Sequence, residues 1–129
     1  MPSVVLDASA LVALLMQEPG AEKIAAELAV GDPMICATNW AEVATRMIRG
    51  GIGEKQVRAA LRALDLEVVP LDEDLALEAG LMEPETRALG LSLGDRSCLA
   101  LALREGATVL TTDRAWLKWK GKAKVVCIR

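Results

Sequence analysis

The chain has 129 residues and a mass of 13.7 kDa, enough for one domain with a substantial core, spanning 1–129, and too short for two. Hydrophobic residues make up 53% and charged residues 26%, which excludes disorder, and the lack of any His excludes Ser-His-Asp and Cys-His nucleophile pairs, His-ligated zinc and cleavage by paired imidazoles. The net charge of −3 is uneven: Arg114, Lys118, Lys120, Lys122, Lys124 and Arg129 give the C-terminal stretch +6 without one acid, leaving −9 on the rest, so a general attraction to nucleic acid is not indicated.

In chain order, Ser3 to Leu6 reads as a buried strand and Asp7 to Met16 as a turn into an apolar helix. Pro19-Gly20 opens the next helix, whose Ala21, Ile24, Ala25, Leu28 and Ala29 fall on one face. Met34 to Ala37 is a short strand, followed by Trp40, Val43, Ala44, Met47 and Ile48 at helical spacing up to Gly50-Gly51. A further helix sets Val57, Leu61 and Leu64 against Glu54, Lys55, Arg58 and Arg62. Leu66 to Val69 is a strand stopped by Pro70; Asp72 to Met82 is a helix broken by Pro84; Leu99 to Leu103 belongs to a helix buried all round. Thr108 to Leu110 and Lys124 to Ile128 complete about five strands. Strands separated by helices over this length imply an α/β fold with a mostly parallel sheet covered on both faces.

Cys36, Cys98 and Cys127 are odd in number, widely spaced and set among apolar residues, which points to reduced thiols in a cytoplasmic protein rather than a disulfide framework or metal knuckle. Asp7 interrupts the apolar N-terminus, and the uncharged run from Ala8 to Gln17 is only ten residues, so neither a signal peptide nor a membrane span is expected.

Four acids stand out by position. Asp7 directly follows the first strand and Asp113 follows the segment Val109-Leu110-Thr111-Thr112, so both lie at the edge of an open α/β sheet where ligands bind. Glu42 and Asp95 stand in the first turns of helices that start at that same edge. Each has a purely structural reading: Asn39 with Glu42, and Ser92 with Asp95, have capping-box spacing; Asp7 and Asp113 suit N-caps; Glu42 also has Arg46 one turn on. Four converging acids, however, would repel one another and demand a cation. All-oxygen ligands suit a hard divalent ion, Mg²⁺ or Mn²⁺, and such an ion supports phosphodiester hydrolysis without His.

The segments Val5-Leu6-Asp7-Ala8-Ser9-Ala10, Asn39-Trp40-Ala41-Glu42-Val43, Gly90-Leu91-Ser92-Leu93-Gly94-Asp95-Arg96, Cys98-Leu99-Ala100-Leu101-Ala102 and Thr112-Asp113-Arg114-Ala115-Trp116 resemble the PIN-domain ribonucleases, specifically the VapC-type toxins of bacterial toxin/antitoxin pairs. The resemblance runs nearly end to end. It implies a Rossmann-like α/β/α sandwich and a metal-dependent endoribonuclease whose one or two Mg²⁺ or Mn²⁺ ions are bound by Asp7, Glu42, Asp95 and Asp113. On that basis Asp7 and Asp95 are the firmest metal ligands, Asp113 is a third, and Glu42 binds through water or positions the attacking water. Ser9, Asn39 and Thr112 are candidates to orient a carboxylate or a bound water, although a capping role suits them as well. The resemblance further implies a homodimer, also suggested by the apolar Ala- and Leu-rich helices. It implies as well a VapB-like antitoxin lying over the acidic groove, an RNA substrate, and no DNA contact by this chain alone.

Other features are read more plainly. The lysines at 118, 120, 122 and 124 suit a charged edge strand better than a phosphate-binding stripe. Trp116 and Trp119 suit the core better than base stacking, and Arg96 and Arg114 are the better phosphate contacts. Two rival readings are a phosphoacceptor receiver domain and a non-catalytic PIN-like binding module whose acids are helix caps. The first lacks paired acids after the first strand and a Lys after the strand ending in Thr111-Thr112. The second would be signalled by loss of an acid, and all four are present.

Overall fold

The structure, a computed structural model, describes residues 2–129; Met1, where the expected domain begins, lies outside the described residues. Five strands form one sheet: β1 (Ser3–Leu6), β2 (Asp32–Cys36), β3 (Glu67–Val69), β4 (Thr108–Thr111) and β5 (Val125–Cys127), in the order β3-β2-β1-β4-β5. Every pairing is parallel; Val5, for example, lies opposite Met34 on one side and Val109 on the other.

The alternation of side chains along a strand divides the core in two. Val4, Leu6, Ile35 and Leu110 face α1 (Ala8–Leu15), α2 (Ala21–Val30), α3 (Ala37–Arg49) and α4 (Glu54–Arg62). Val5, Met34, Cys36, Val69 and Val109 face the other layer, made by α5 (Glu73–Leu81), α6 (Glu83–Thr86) and α7 (Leu93–Glu105) with Trp116 and Trp119. The result is the α/β/α sandwich expected from the sequence. Helix α7 is the most enclosed, with every residue from Ser97 to Ala102 buried. Its burial is less complete than its apolar sequence suggests, because Leu103 is exposed. Gly106, in the left-handed region at φ 62°, ends α7 and turns the chain into β4.

Two local expectations change. Pro84 does not break a helix: α5 has ended at Leu81, and Pro84 stands in the first turn of α6, where a missing N–H leaves no bond unmade. The alternating lysines do not form an edge strand either. Lys118 closes a 3-10 turn (Arg114–Lys118), Lys120 and Lys122 lie in irregular chain, and only Val125–Cys127 pairs with β4. The buried Trp119 interrupts the alternation and pulls the segment into the core. Among the described residues no helix is long and apolar enough to cross a membrane.

Candidate functional site

The strand order reverses at β1: β2 and β3 lie to one side, β4 and β5 to the other. The carboxyl ends of β1 and β4 therefore open a crevice with no crossover above it, the usual ligand position in such sheets. Asp7 leaves β1 at that point, its amide donating to the Leu110 carbonyl of β4 at 3.1 Å, and Asp113 follows β4 by two residues.

Asp7 is buried, 3% exposed, and its carboxylate is fully engaged. One oxygen accepts from the Ala10 amide at 2.8 Å, which makes Asp7 the N-cap of α1. The Ser9 hydroxyl donates at 2.7 Å, and the Thr111 hydroxyl donates to the second oxygen at 2.5 Å. Ser9 in turn accepts from the Thr112 amide, and Thr111 from the Asp113 amide. The two strand ends are thus laced together through hydroxyls. Asp113 is exposed and caps the following turn through the Ala115 amide at 3.0 Å.

Helices α3 and α7 bring the other two acids. Ser92 and Asp95 form the reciprocal capping box expected of them, at 2.9 and 3.2 Å. Asn39 and Glu42 do not, because α3 begins at Ala37, with Cys36 at the cap position and no side-chain cap. Asn39 lies inside the helix, wholly buried, and its Nδ2 donates both to Glu42 Oε1 and to the Gly94 carbonyl, each at 2.9 Å. Glu42 lies against Gly94, so its carboxylate reaches the first turn of α7 one residue before Asp95: a β-carbon on Gly94 would stand 2.8 Å from Glu42 Cδ. No ion pair joins Glu42 to Arg46 among the described residues.

The electrostatics record the convergence. Burial pushes Asp7 up to about 6 despite the hydroxyl and amide donors, and the charge of Asp95 adds to the rise. Asp95 is raised by burial and by Asp113, and Arg46 opposes the rise. Beneath them lies Cys98, fully buried on α7. Burial first, then Asp7, Asp95, Cys36 and Glu42, hold its thiol well above the usual range. Cys98 is therefore a neutral core residue and no nucleophile. Three of the acids act on that one point, and Asp113 joins them through Asp95.

The donors around the crevice are oxygens, the set a hard divalent ion takes. Among the described residues no three acids or thiols close into a cage of their own. An open carboxylate rim fits Mg²⁺, which keeps several waters and needs only one or two protein carboxylates.

The smaller expectations divide. Arg96 is not a free phosphate contact; its side chain is mostly buried and paired with Glu83. The Arg114 guanidinium donates to the Arg129 carbonyl at 3.0 Å. Trp116 and Trp119 are core residues, as their chemistry suggested. Of the paired threonines it is Thr111, overlooked in the sequence, that binds Asp7 by its hydroxyl, whereas Thr112 contributes its backbone amide. Gly94 also gave no sequence signal of its own beyond its place before Asp95.

No curated protein sequence matches this one significantly. Solved structures do match along nearly the whole chain. The VapBC2 complex of Rickettsia felis, bound to a DNA fragment from its promoter, is similar at a TM-score of 0.76 and 17% identity, over 96% of this chain and 97% of the other. A toxin-antitoxin complex from Klebsiella pneumoniae gives 0.73 and 20%, over 98% of both chains. Mycobacterium tuberculosis VapC20, a toxin that cleaves the sarcin-ricin loop, gives 0.72 and 19%, over 86% and 90%. At these identities the likeness is one of fold. Residues 4–122 match the PIN domain family in sequence, and with the parallel sheet and the acid-lined crevice in place, the chain belongs to the PIN-domain family.

Proposed function

We propose that this chain is the toxin of a VapC-type toxin/antitoxin pair, an endoribonuclease that hydrolyses RNA phosphodiesters at the β1/β4 crevice with one or two Mg²⁺ or Mn²⁺ ions. The observation that carries the reading is the placement of Asp7, Glu42, Asp95 and Asp113 around one sheet edge, where Asp7 and Asp95 are raised first by burial and further by the charge of a neighbouring acid, Asp95 for the one and Asp113 for the other. A bound divalent ion supplies activation of water near neutral pH and charge to offset the phosphoryl oxygens.

The chain's own residues do the rest. Ser9, Thr111 and the Ala10 amide fix both oxygens of Asp7, so the carboxylate presents one orientation to the crevice. The capping box holds Asp95 by its Oδ2 and the helix start around it. Glu42 lies over the same turn, and there it would bind the ion through water or position the attacking water. Asp113, exposed at the rim, completes the negative edge.

The partners follow from the same reading. A VapB-like antitoxin neutralises the acidic groove, for which Arg is the fitting side chain. Exposed Leu77 and Leu81 on α5 and Leu103 on α7 support a homodimer, and the buried thiols Cys36 and Cys98 suit a cytoplasmic setting. The test is cleavage of a structured RNA pool by the purified chain, with Mn²⁺, with chelator, and with Asp95→Asn. Cleavage that needs the metal and disappears in Asp95→Asn is expected. No cleavage by the wild-type chain with Mn²⁺ would instead favour a non-catalytic PIN-like module whose acids serve as caps, and cleavage that survives in the variant would remove Asp95 from the site.

A further inference from the structure

Asn39 is an unusual residue to bury. Its side chain is completely enclosed, and Oδ1 has no donor within reach among the described residues. Turning the amide over would not help, because Oδ1 would then face two acceptors, Glu42 Oε1 and the Gly94 carbonyl. The orientation is set by those acceptors, and the orphaned oxygen is its cost. An apolar side chain would fill the position without that cost. What Asn supplies is two N–H groups from one nitrogen, one for the backbone of α7 and one for a carboxylate.

Gly94 supplies an independent observation. Gly is a poor choice in the first turn of a helix with an ordinary backbone. The three atoms nearest to a β-carbon placed there are all from Glu42: Oε1, Cδ at 2.8 Å and Oε2 at 2.9 Å. The space left by the missing side chain is filled by that one carboxylate.

We propose that Asn39 and Gly94 are positioning residues that together fix the Glu42 carboxylate at the crevice, the amide holding one oxygen and the glycine making room for the group. The consequence for cation binding rests on the reading of Glu42 proposed above; the placement of Glu42 does not. The flexible end of Glu42, rather than backbone, is what a β-carbon on Gly94 would displace, so the fold tolerates Gly94→Ala while the carboxylate loses its place.

The test uses the full chain and four variants, Gly94→Ala, Asn39→Ala, Glu42→Ala and Ser92→Ala, with the first two also combined with Glu42→Ala. In the metal-free protein the Asn39 side-chain amide is followed by ¹H–¹⁵N spectra. Its protons should exchange slowly, and its signals should move in Glu42→Ala and in Gly94→Ala but not in Ser92→Ala. Signals unmoved by Glu42→Ala overturn the proposal. The second readout is the affinity for Mn²⁺ itself, by water-proton relaxation. Gly94→Ala and Asn39→Ala should each weaken it about tenfold, like Glu42→Ala, and neither should weaken it further once Glu42 is alanine. A full additional loss in the Glu42→Ala background would show a merely structural role and overturns the proposal. Should Asn39→Ala fail to fold, Gly94→Ala carries both readouts. If the wild-type chain binds no Mn²⁺, the cation reading falls, and the amide spectra alone decide whether Asn39 and Gly94 place Glu42.

Discussion

At the scale of single residues, the dominant fact is that an ionisable group with 3% of its surface exposed ends the central strand. Asp7 pushed up to about 6 binds a proton more tightly in the native state than in the unfolded chain, so its contribution grows as pH falls through 6 and levels off near 4. Burial raises Asp95 in the same direction. The metal-free protein should therefore melt higher at pH 5 than at pH 7, and saturating Mn²⁺ should reverse the order; calorimetry at both pH values checks this, and a metal-free chain less stable at pH 5 would contradict the origin given for the shift. Asp7→Asn should stabilise the metal-free protein at pH 7 by about 1–3 kcal/mol, since a rise of about two pK units amounts to roughly 3 kcal/mol, and should abolish RNA cleavage. Urea titration beside the cleavage assay reads both. The four acids were legible in the sequence from their places after strands and at helix starts. Thr111 was not, because which of two adjacent threonines points at Asp7 depends on the register of β4 against β1, and a slip of one residue exchanges them. Of the two readings of Asn39, the cap fails because that position holds Cys36, whereas the reading as a residue that orients a carboxylate agrees with its bond to Glu42.

At the scale of elements, α7 does most to build the site, since its first turn carries Asp95, its second Cys98, and its body fills the layer under β1 and β4. Ser92→Ala removes one half of its capping box and should cost about 1 kcal/mol in urea denaturation, with RNA cleavage largely kept. Leu99→Ala, inside the helix at a fully buried position, should cost about 2–5 kcal/mol. Ser92→Ala costing as much as Leu99→Ala would mean that the cap, and not packing, holds the helix. The elements were well marked in the sequence wherever apolar spacing and a Gly or Pro agreed, as at Pro19-Gly20 and Gly50-Gly51. They were less well marked where polar residues set the pattern. Alternating lysines imitate a strand, but pairing begins only at Val125, where the apolar run starts. Pro84 reads as a stop in a linear sequence and acts as a start in three dimensions because α5 is already over.

At the scale of the whole molecule, an acidic chain concentrates repulsion at one edge, and a cation there should act on global stability through linkage. Mn²⁺ at a hundred times its dissociation constant should add about 3 kcal/mol to wild type, read as a rise in melting temperature, and nothing comparable to Asp95→Asn. Equal rises in both would place the ion elsewhere. The overall architecture was legible because alternation of strand and helix leaves few topologies for five parallel strands; the packing of α3 against α7, on which Glu42 depends, has no counterpart in local sequence. The bond between Thr111 and Asp7 spans 104 positions of the chain, and this separation bears on when the site comes into being. A ribosome that has released residues only as far as α5 has exposed two of the four acids and no β4 to stand beside β1. The crevice cannot assemble until β4 has emerged and the strands on both sides of β1 have docked. On the proposed nuclease reading, a nascent chain would cleave nothing before β4 has been made, and any fragment cut before β4 would be equally inactive.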